Sequence, residues 1–235
     1  GTLTSGAKIR KKIAKTAKMN FSISKNSSNL LIEANNVYKS FQSRTVIKNF
    51  SFNIAKGERI AVVGSNGIGK STLVNLITGI LTPTKGQILI DGNDYLINLG
   101  SWQKKIAYVT QNPIILDDTI KNNVAFGIDE QNISNEKIFN VLKLANLDET
   151  ISKLKNGINT TVGEKGLKFS GGQIQRLSIS RALYSDKEFL ILDEATNALD
   201  NETERKILNE IQILTEKTNL TVLIISHKKS VLKIC

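Results

Sequence analysis

Three glycines, a lysine and a hydroxyl recur at short spacing in Gly64-Ser65-Asn66-Gly67-Ile68-Gly69-Lys70-Ser71. That spacing suits a polyphosphate. Without Cβ atoms, glycines let successive backbone N–H groups curl around one anion. Lys70 can then reach β- and γ-phosphates, and the Ser71 hydroxyl can ligate Mg²⁺. Far along the chain, Asp193 and Glu194 stand side by side. The first carboxylate suits Mg²⁺, directly or through water, and the second suits polarisation of an attacking water. Gln111 offers an amide to metal or water. His227, the single histidine of the chain, offers a donor to a γ-phosphate. The chemistry these residues imply is nucleotide binding with phosphoryl transfer to water.

Such groups act only if the fold brings them together. Ile60–Val63 is a short apolar, β-branched run of buried-strand type, and it ends at the glycine loop. Beyond the loop, Leu73, Leu76, Ile77 and Ile80 recur at helical spacing, so the loop sits where a strand turns into a helix. The helix N-terminus adds partial positive charge there. Three more apolar runs end in functional polar residues: Ile106–Val109 leads to Gln111, Phe189–Leu192 to Asp193-Glu194, and Val222–Ile225 to Ser226-His227. Parallel strands present their carboxyl ends along one edge, so one sheet would gather all four endings. Ser170-Gly171-Gly172-Gln173 opens another helical stretch, with Ser170 as N-cap and glycines leaving the terminus open to an anion.

The rest of the chain frames this set. Between 30 and 56, short alternating runs such as Val46–Ile54 predict antiparallel strands. Gln87–Ile90 predicts a further strand before the Asp91-Gly92 turn. Residues 112–182 predict a mostly helical insert, with Ile138, Val141, Leu142 and Ala145 on one face. The expected fold is therefore α/β: a P-loop NTPase core with a mainly parallel sheet, an N-terminal antiparallel β-subdomain and an inserted α-helical subdomain.

Net charge is +11 over 235 residues, and seven of those charges lie before residue 30, where there is no acidic residue. The remainder is too near neutrality for a long nucleic-acid-binding face. Residues 1–29 read instead as a basic, membrane-proximal leader and linker. No apolar run reaches the ~20 residues that span a bilayer. The lone cysteine, Cys235, rules out an intrachain disulfide.

Taken together, the motifs resemble the nucleotide-binding domain of an ABC ATPase over residues 31–235. The matching segments, in the family's order, are a Walker A loop (Gly64 to Thr72), a Q-loop (Gln111), a signature (Phe169 to Gln173), a Walker B strand (Phe189 to Asp193) with catalytic Glu194, a D-loop (Ala198 to Asp200) and an H-loop (His227). The resemblance implies ATP and Mg²⁺ as ligands, with Ser71, Gln111 and Asp193 at the metal. Lys70, Gln111, Glu194 and His227 would act in catalysis. It places Phe41 and Val46 at the nucleotide beside Gly64 to Thr72, with Tyr38 as the rival aromatic. It also implies a head-to-tail dimer in which Ser170, Gly171, Gly172 and Gln173 serve the partner's ATP.

Thr161–Gly166 and Asp118–Val124 resemble segments of exporters. The resemblance thus implies the ATPase domain of an exporter, on the cytoplasmic face of a membrane and joined to a transmembrane domain. A soluble ABC ATPase acting on DNA or ribosomes would carry long coiled coils or a second ATPase domain. An importer subunit would lack the basic leader and the exporter-like loop. Only eight residues follow His227, fewer than family domains usually carry, so a short C-terminal end is expected.

Overall fold

The computed structural model describes residues 29–64, 69–228 and 231–232. The basic leader, Ser65, Asn66, Gly67, Ile68 and Cys235 lie outside the described residues. In chain order the strands and helices are β1 (Leu30–Phe41), β2 (Arg44–Ala55), β3 (Arg59–Val63), α1 (Lys70–Ile77), β4 (Lys85–Ile90), β5 (Asn93–Asp94), α2 (Leu99–Lys104) and β6 (Ile106–Val109). There follow β7 (Asp118–Thr119), α3 (Ile120–Val124), α4 (Asn135–Leu144), α5 (Asp148–Ser152), β8 (Thr161–Val162), α6 (Gly171–Tyr184), β9 (Phe189–Asp193), α7 (Asn201–Lys217) and β10 (Thr221–Ser226).

The four expected strands do share one sheet, in the order β3-β10-β9-β6, and every pairing in it is parallel. Their side chains alternate between two apolar layers, which is why they read as continuous apolar runs. Ile60, Val62, Phe189, Ile191, Leu223 and Ile225 face α1 and the antiparallel sheet. Ala61, Leu190, Leu192, Val222 and Ile224 face Ile207, Leu208 and Ile211 of α7 and Ile179 of α6. Both faces are therefore covered, and the carboxyl ends of all four strands lie along one edge.

The second sheet, β2-β1-β4-β5, is antiparallel. Its β1–β2 hairpin turns at Gln42, whose φ is +50°. A bulge in β1 puts Asn36 at φ +49°, and the Asn36 carbonyl would lie 2.3 Å from a Cβ placed on Gly86. Glycine is required at 86 by this close approach and by its own φ of +83°. Trp102 stacks on Phe189, with ring centroids 5.6 Å apart, and its indole N–H donates to the Ile77 carbonyl at the end of α1 (2.7 Å). The helix α1 is thus tied at its C-terminus to the start of β9, an interior strand of the parallel sheet.

A third apolar cluster joins α3, α4, α5 and α6 through Ile120, Val124, Ile138, Leu142, Leu147 and Leu177. Two details differ from the sequence reading. The helical region also contains a two-stranded ribbon, β7 with β8, too short to leave a periodic signature. Ile80 lies beyond α1 and is 62% exposed; the helix ends at Ile77, and Gly79, at φ +74°, redirects the chain before the stripe is complete.

Candidate active site

Lys70, Glu194 and His227 come from three separate segments and meet at the carboxyl edge of the parallel sheet. Lys70 opens α1 behind Gly69, whose φ of +98° is left-handed. Its side chain is buried, at 6% exposure. The ammonium donates to the Gly64 carbonyl at 2.8 Å, lies 3.1 Å from Glu194 Oε1 and 3.2 Å from the His227 ring nitrogens. His227 Nε2 is 2.5 Å from the same Glu194 oxygen. A cation, a carboxylate and an imidazole are therefore held in mutual contact beside the glycine loop.

The backbone aims that carboxylate. Glu194 has φ +53°, a conformation uncommon outside glycine and one that persists only where its surroundings hold it. Here the Glu194 N–H donates to the Ile225 carbonyl (2.9 Å), and Asn197 Nδ2 donates to Glu194 Oε2 (3.1 Å). The chain thus leaves β9 abruptly, and Glu194 turns toward Lys70. Thr196, two residues on, donates its hydroxyl to buried Glu204 (2.6 Å), which also accepts from Lys228 just after His227 (2.9 Å). One carboxylate staples the two loops that carry Glu194 and His227.

Asp193 is half-buried, and its Oδ2 accepts the Tyr108 hydroxyl at 2.9 Å. Burial pushes the Asp193 carboxyl up, an effect opposed by the Tyr108 hydrogen bond, reinforced by Glu194 and eased by Lys70. The Tyr108 hydroxyl is raised by burial first and by Asp193 second. A carboxylate whose charge is disfavoured by desolvation fits a divalent cation. Serine hydroxyl, carboxylate and amide oxygen are the hard donors that Mg²⁺ takes. Ser71, Asp193 and Gln111 are such donors, so the residues fit the ion.

Val46 and Phe41 lie on the β1–β2 hairpin. A Cβ on Gly69 would sit 3.2 Å from Val46 Cγ1, so the hairpin packs directly against the end of the glycine loop. Phe41, 44% exposed, stands at the hairpin tip with the Lys39 ammonium 5.3 Å from its ring centroid. Tyr38 is half-buried. Ser71 and Thr72 follow Lys70 in the first turn of α1.

The signature segment sits apart from this group. Ser170 caps α6 in a reciprocal box: its hydroxyl accepts from the Gln173 N–H, and Gln173 Oε1 accepts the Ser170 N–H. Gly171 and Gly172 pack against Ala198 and Leu199 rather than against Lys70, Glu194 or His227. Gln111 follows β6 in an exposed loop, and its carbonyl accepts from Gln175 of α6 (3.2 Å). Sequence reasoning missed Tyr108, Asn197 and Gln175. For Gln175 there was a signal: four residues before buried Ile179, it is a polar side chain on the inner face of its helix.

The family profile described as ABC transporter matches residues 47–197. The chain is 41% identical over 191 residues to an ATP-dependent lipid A-core flippase of Francisella novicida, covering 81% of this chain and 32% of that one. It is 42% identical over 194 residues to one of Paraburkholderia xenovorans (strain LB400), covering 81% and 31%. The chain therefore spans about a third of the length of these relatives. A solved bacterial Atm1-family ABC exporter with ATP bound superimposes with a TM-score of 0.79 at 32% identity, over 97% of this chain and 40% of that one. Among the described residues, no helix is long and apolar enough to cross a membrane. The chain belongs to the ABC transporter family and carries its ATPase domain.

Proposed function

We propose that this domain hydrolyses ATP with Glu194 as base, as one half of a head-to-tail dimer that powers an exporter. The observation that carries the reading is the contact of Lys70, Glu194 and His227 beside the glycine loop, each from a different element. The Gly64–Thr72 loop takes the phosphates, with Lys70 on the β- and γ-groups, and Phe41 and Val46 take the base. Glu194 accepts the proton of the attacking water, and His227 donates to the γ-phosphate oxygens. Bound through Ser71, Asp193 and Gln111, Mg²⁺ would supply charge neutralisation across the phosphates.

Ser170 to Gln173 open a separate helix N-terminus suited to an anion, but their contacts run to 198–199. They serve the nucleotide of a second copy, so turnover requires two chains. The export assignment rests on relatives that are flippases by name and on the pairing of Asp118–Thr119 with Thr161–Val162. That pairing joins the two exporter-like segments into one ribbon. A transmembrane domain in the remainder of the protein would place this domain at the cytoplasmic face, with ATP as the energy source for a transported substrate.

The test is turnover of the chain against Glu194→Gln, with ATP binding and size exclusion in parallel. Loss of turnover, retained ATP binding and an ATP-dependent shift to dimer are expected. Equal turnover would remove Glu194 from this role.

A further inference from the structure

Gln175 occupies an unusual place for a polar side chain. It lies on α6, 4% exposed, and both ends of its amide are engaged by backbone groups of two different loops. Nε2 donates to the Gln111 carbonyl (3.2 Å), and Oε1 accepts the Ala198 N–H (3.1 Å). Those loops are 87 residues apart in sequence and carry different parts of the site. Gln111 belongs to the metal and water side of this chain's own nucleotide. Ala198 belongs to the turn that follows Glu194. A carbonyl requires a donor and an N–H an acceptor, so a primary amide of this length satisfies both, whereas a carboxylate, an ammonium or an alkyl chain does not.

Ala198 is also where the signature segment packs. A Cβ on Gly172 would lie 3.2 Å from the Ala198 carbonyl and 3.5 Å from Leu199 Cδ2. The far end of the Gln111 loop is held independently: Arg181, further along α6, donates to the Ile114 and Asn123 carbonyls at 3.0 and 2.7 Å. With that end clamped to the same helix, displacement of Gln111 is transmitted at the near end, through Gln175, to Ala198. We propose that Gln175 is a positioning residue that couples the Gln111 loop to the Ala198–Asp200 turn, so that nucleotide contact at Gln111 resets the turn on which the signature glycines pack. This rests on the ATPase reading above and adds to it the element through which one nucleotide site informs the other.

The test uses the full chain and two variants. Gln175→Met keeps the length and apolar packing and removes both hydrogen bonds, and its melting temperature checks that it folds. Gln175→Glu keeps the acceptor for Ala198 and removes the donor to Gln111. Without nucleotide, hydrogen exchange at the Ala198 amide should quicken about tenfold in Gln175→Met and stay near wild type in Gln175→Glu. In both variants ATP affinity should stay within about threefold of wild type, kcat should fall at least about fivefold, and the ATP-induced change in exchange across 196–200 should be lost. Unchanged Ala198 exchange in Gln175→Met, or a wild-type ATP response at 196–200 in either variant, overturns the proposal. Should the wild type itself fail to turn over ATP, the ATPase reading falls, and the nucleotide-free exchange comparison still decides whether Gln175 holds the turn.

Discussion

Replacing Glu194 with glutamine should do more than stop turnover, because Glu194 is the carboxylate against which Lys70 is held. Lys70 is 6% exposed and its ammonium lies 3.1 Å from Glu194 Oε1. A hydrogen bond to a charged partner stabilises by about 1.5–3 kcal/mol against about 1 kcal/mol for a neutral one. Glutamine keeps an acceptor oxygen at that position, so the free protein should lose about 1–2 kcal/mol. For a chain of this size that corresponds to a melting temperature lower by about 3–6 °C. ATP reverses the balance. On the proposed reading its γ-phosphate would compete with Glu194 for Lys70 and be repelled by the carboxylate, and the variant would present neither opposition. Its ATP affinity should therefore rise by about 5–30-fold, the same free energy expressed as binding. Differential scanning fluorimetry with and without ATP, together with titration calorimetry, reads both halves. Equal melting temperatures for the two free proteins with equal ATP affinities would refute the pairing of Lys70 with Glu194.

Gly86→Ala must fit a Cβ 2.3 Å from the Asn36 carbonyl at φ +83°; it should cost about 3 kcal/mol or more in chemical denaturation, and a loss below about 1 kcal/mol would contradict the close approach. Gly172→Ala meets Ala198 at a tight but tolerable 3.2 Å in the first turn of α6, so its melting temperature should move by less than about 3 °C. Its ATP-dependent dimer by size exclusion should be lost, and a wild-type dimer would show that Gly172 does not meet a partner's nucleotide. Tyr95 is held up at about 12, by burial first and by Asp94 second. The unfolded chain ionises near 10, so the contribution of Tyr95 is complete below that pH and declines between 10 and about 12. Thermal unfolding of Tyr95→Phe should decline less steeply than wild type across this window, and parallel curves would count against the shift.

Much of the site was legible because its parts sit at the ends of apolar runs. Ile60–Val63, Ile106–Val109, Phe189–Leu192 and Val222–Ile225 announce buried strands by composition, and a parallel sheet must place their following residues on one edge. That inference gathers Gly64, Gln111, Asp193, Glu194 and His227 without any knowledge of loop shape. What the sequence did not reveal depends on contacts between chain-distant groups. The Tyr108 hydroxyl reaches Asp193 from a neighbouring strand, and in sequence Tyr108 is merely an aromatic residue in a strand. The β7–β8 ribbon is two residues per strand, below the length at which alternation can be read. Ile80 misled because a periodic stripe carries no information about where a glycine will end the helix.

The left-handed backbone at Glu194 connects these observations. A glutamate at φ +53° is uphill of its relaxed conformation and stays there only if the residues after it cannot relax. Three anchors prevent relaxation within five residues: Asn197 to the Glu194 carboxylate, Thr196 to buried Glu204, and Ala198 to Gln175. Asn197, Glu204 and Gln175 lie outside the metal and phosphate set, yet each constrains where the Glu194 oxygens point relative to Lys70 and His227. Glu204 joins the turn to Lys228 behind His227, and Gln175 joins it to Gln111. The position of the Glu194 carboxylate is therefore set jointly by the loop that carries His227, the loop that carries Gln111 and the helix α6. Loosening an anchor should misplace the Glu194 carboxylate and lower turnover, while Gly69, packed against Val46, keeps its place at the start of α1. Turnover should therefore be more sensitive than ATP affinity to changes at Thr196, Asn197 and Gln175, whose anchors do not touch Lys70.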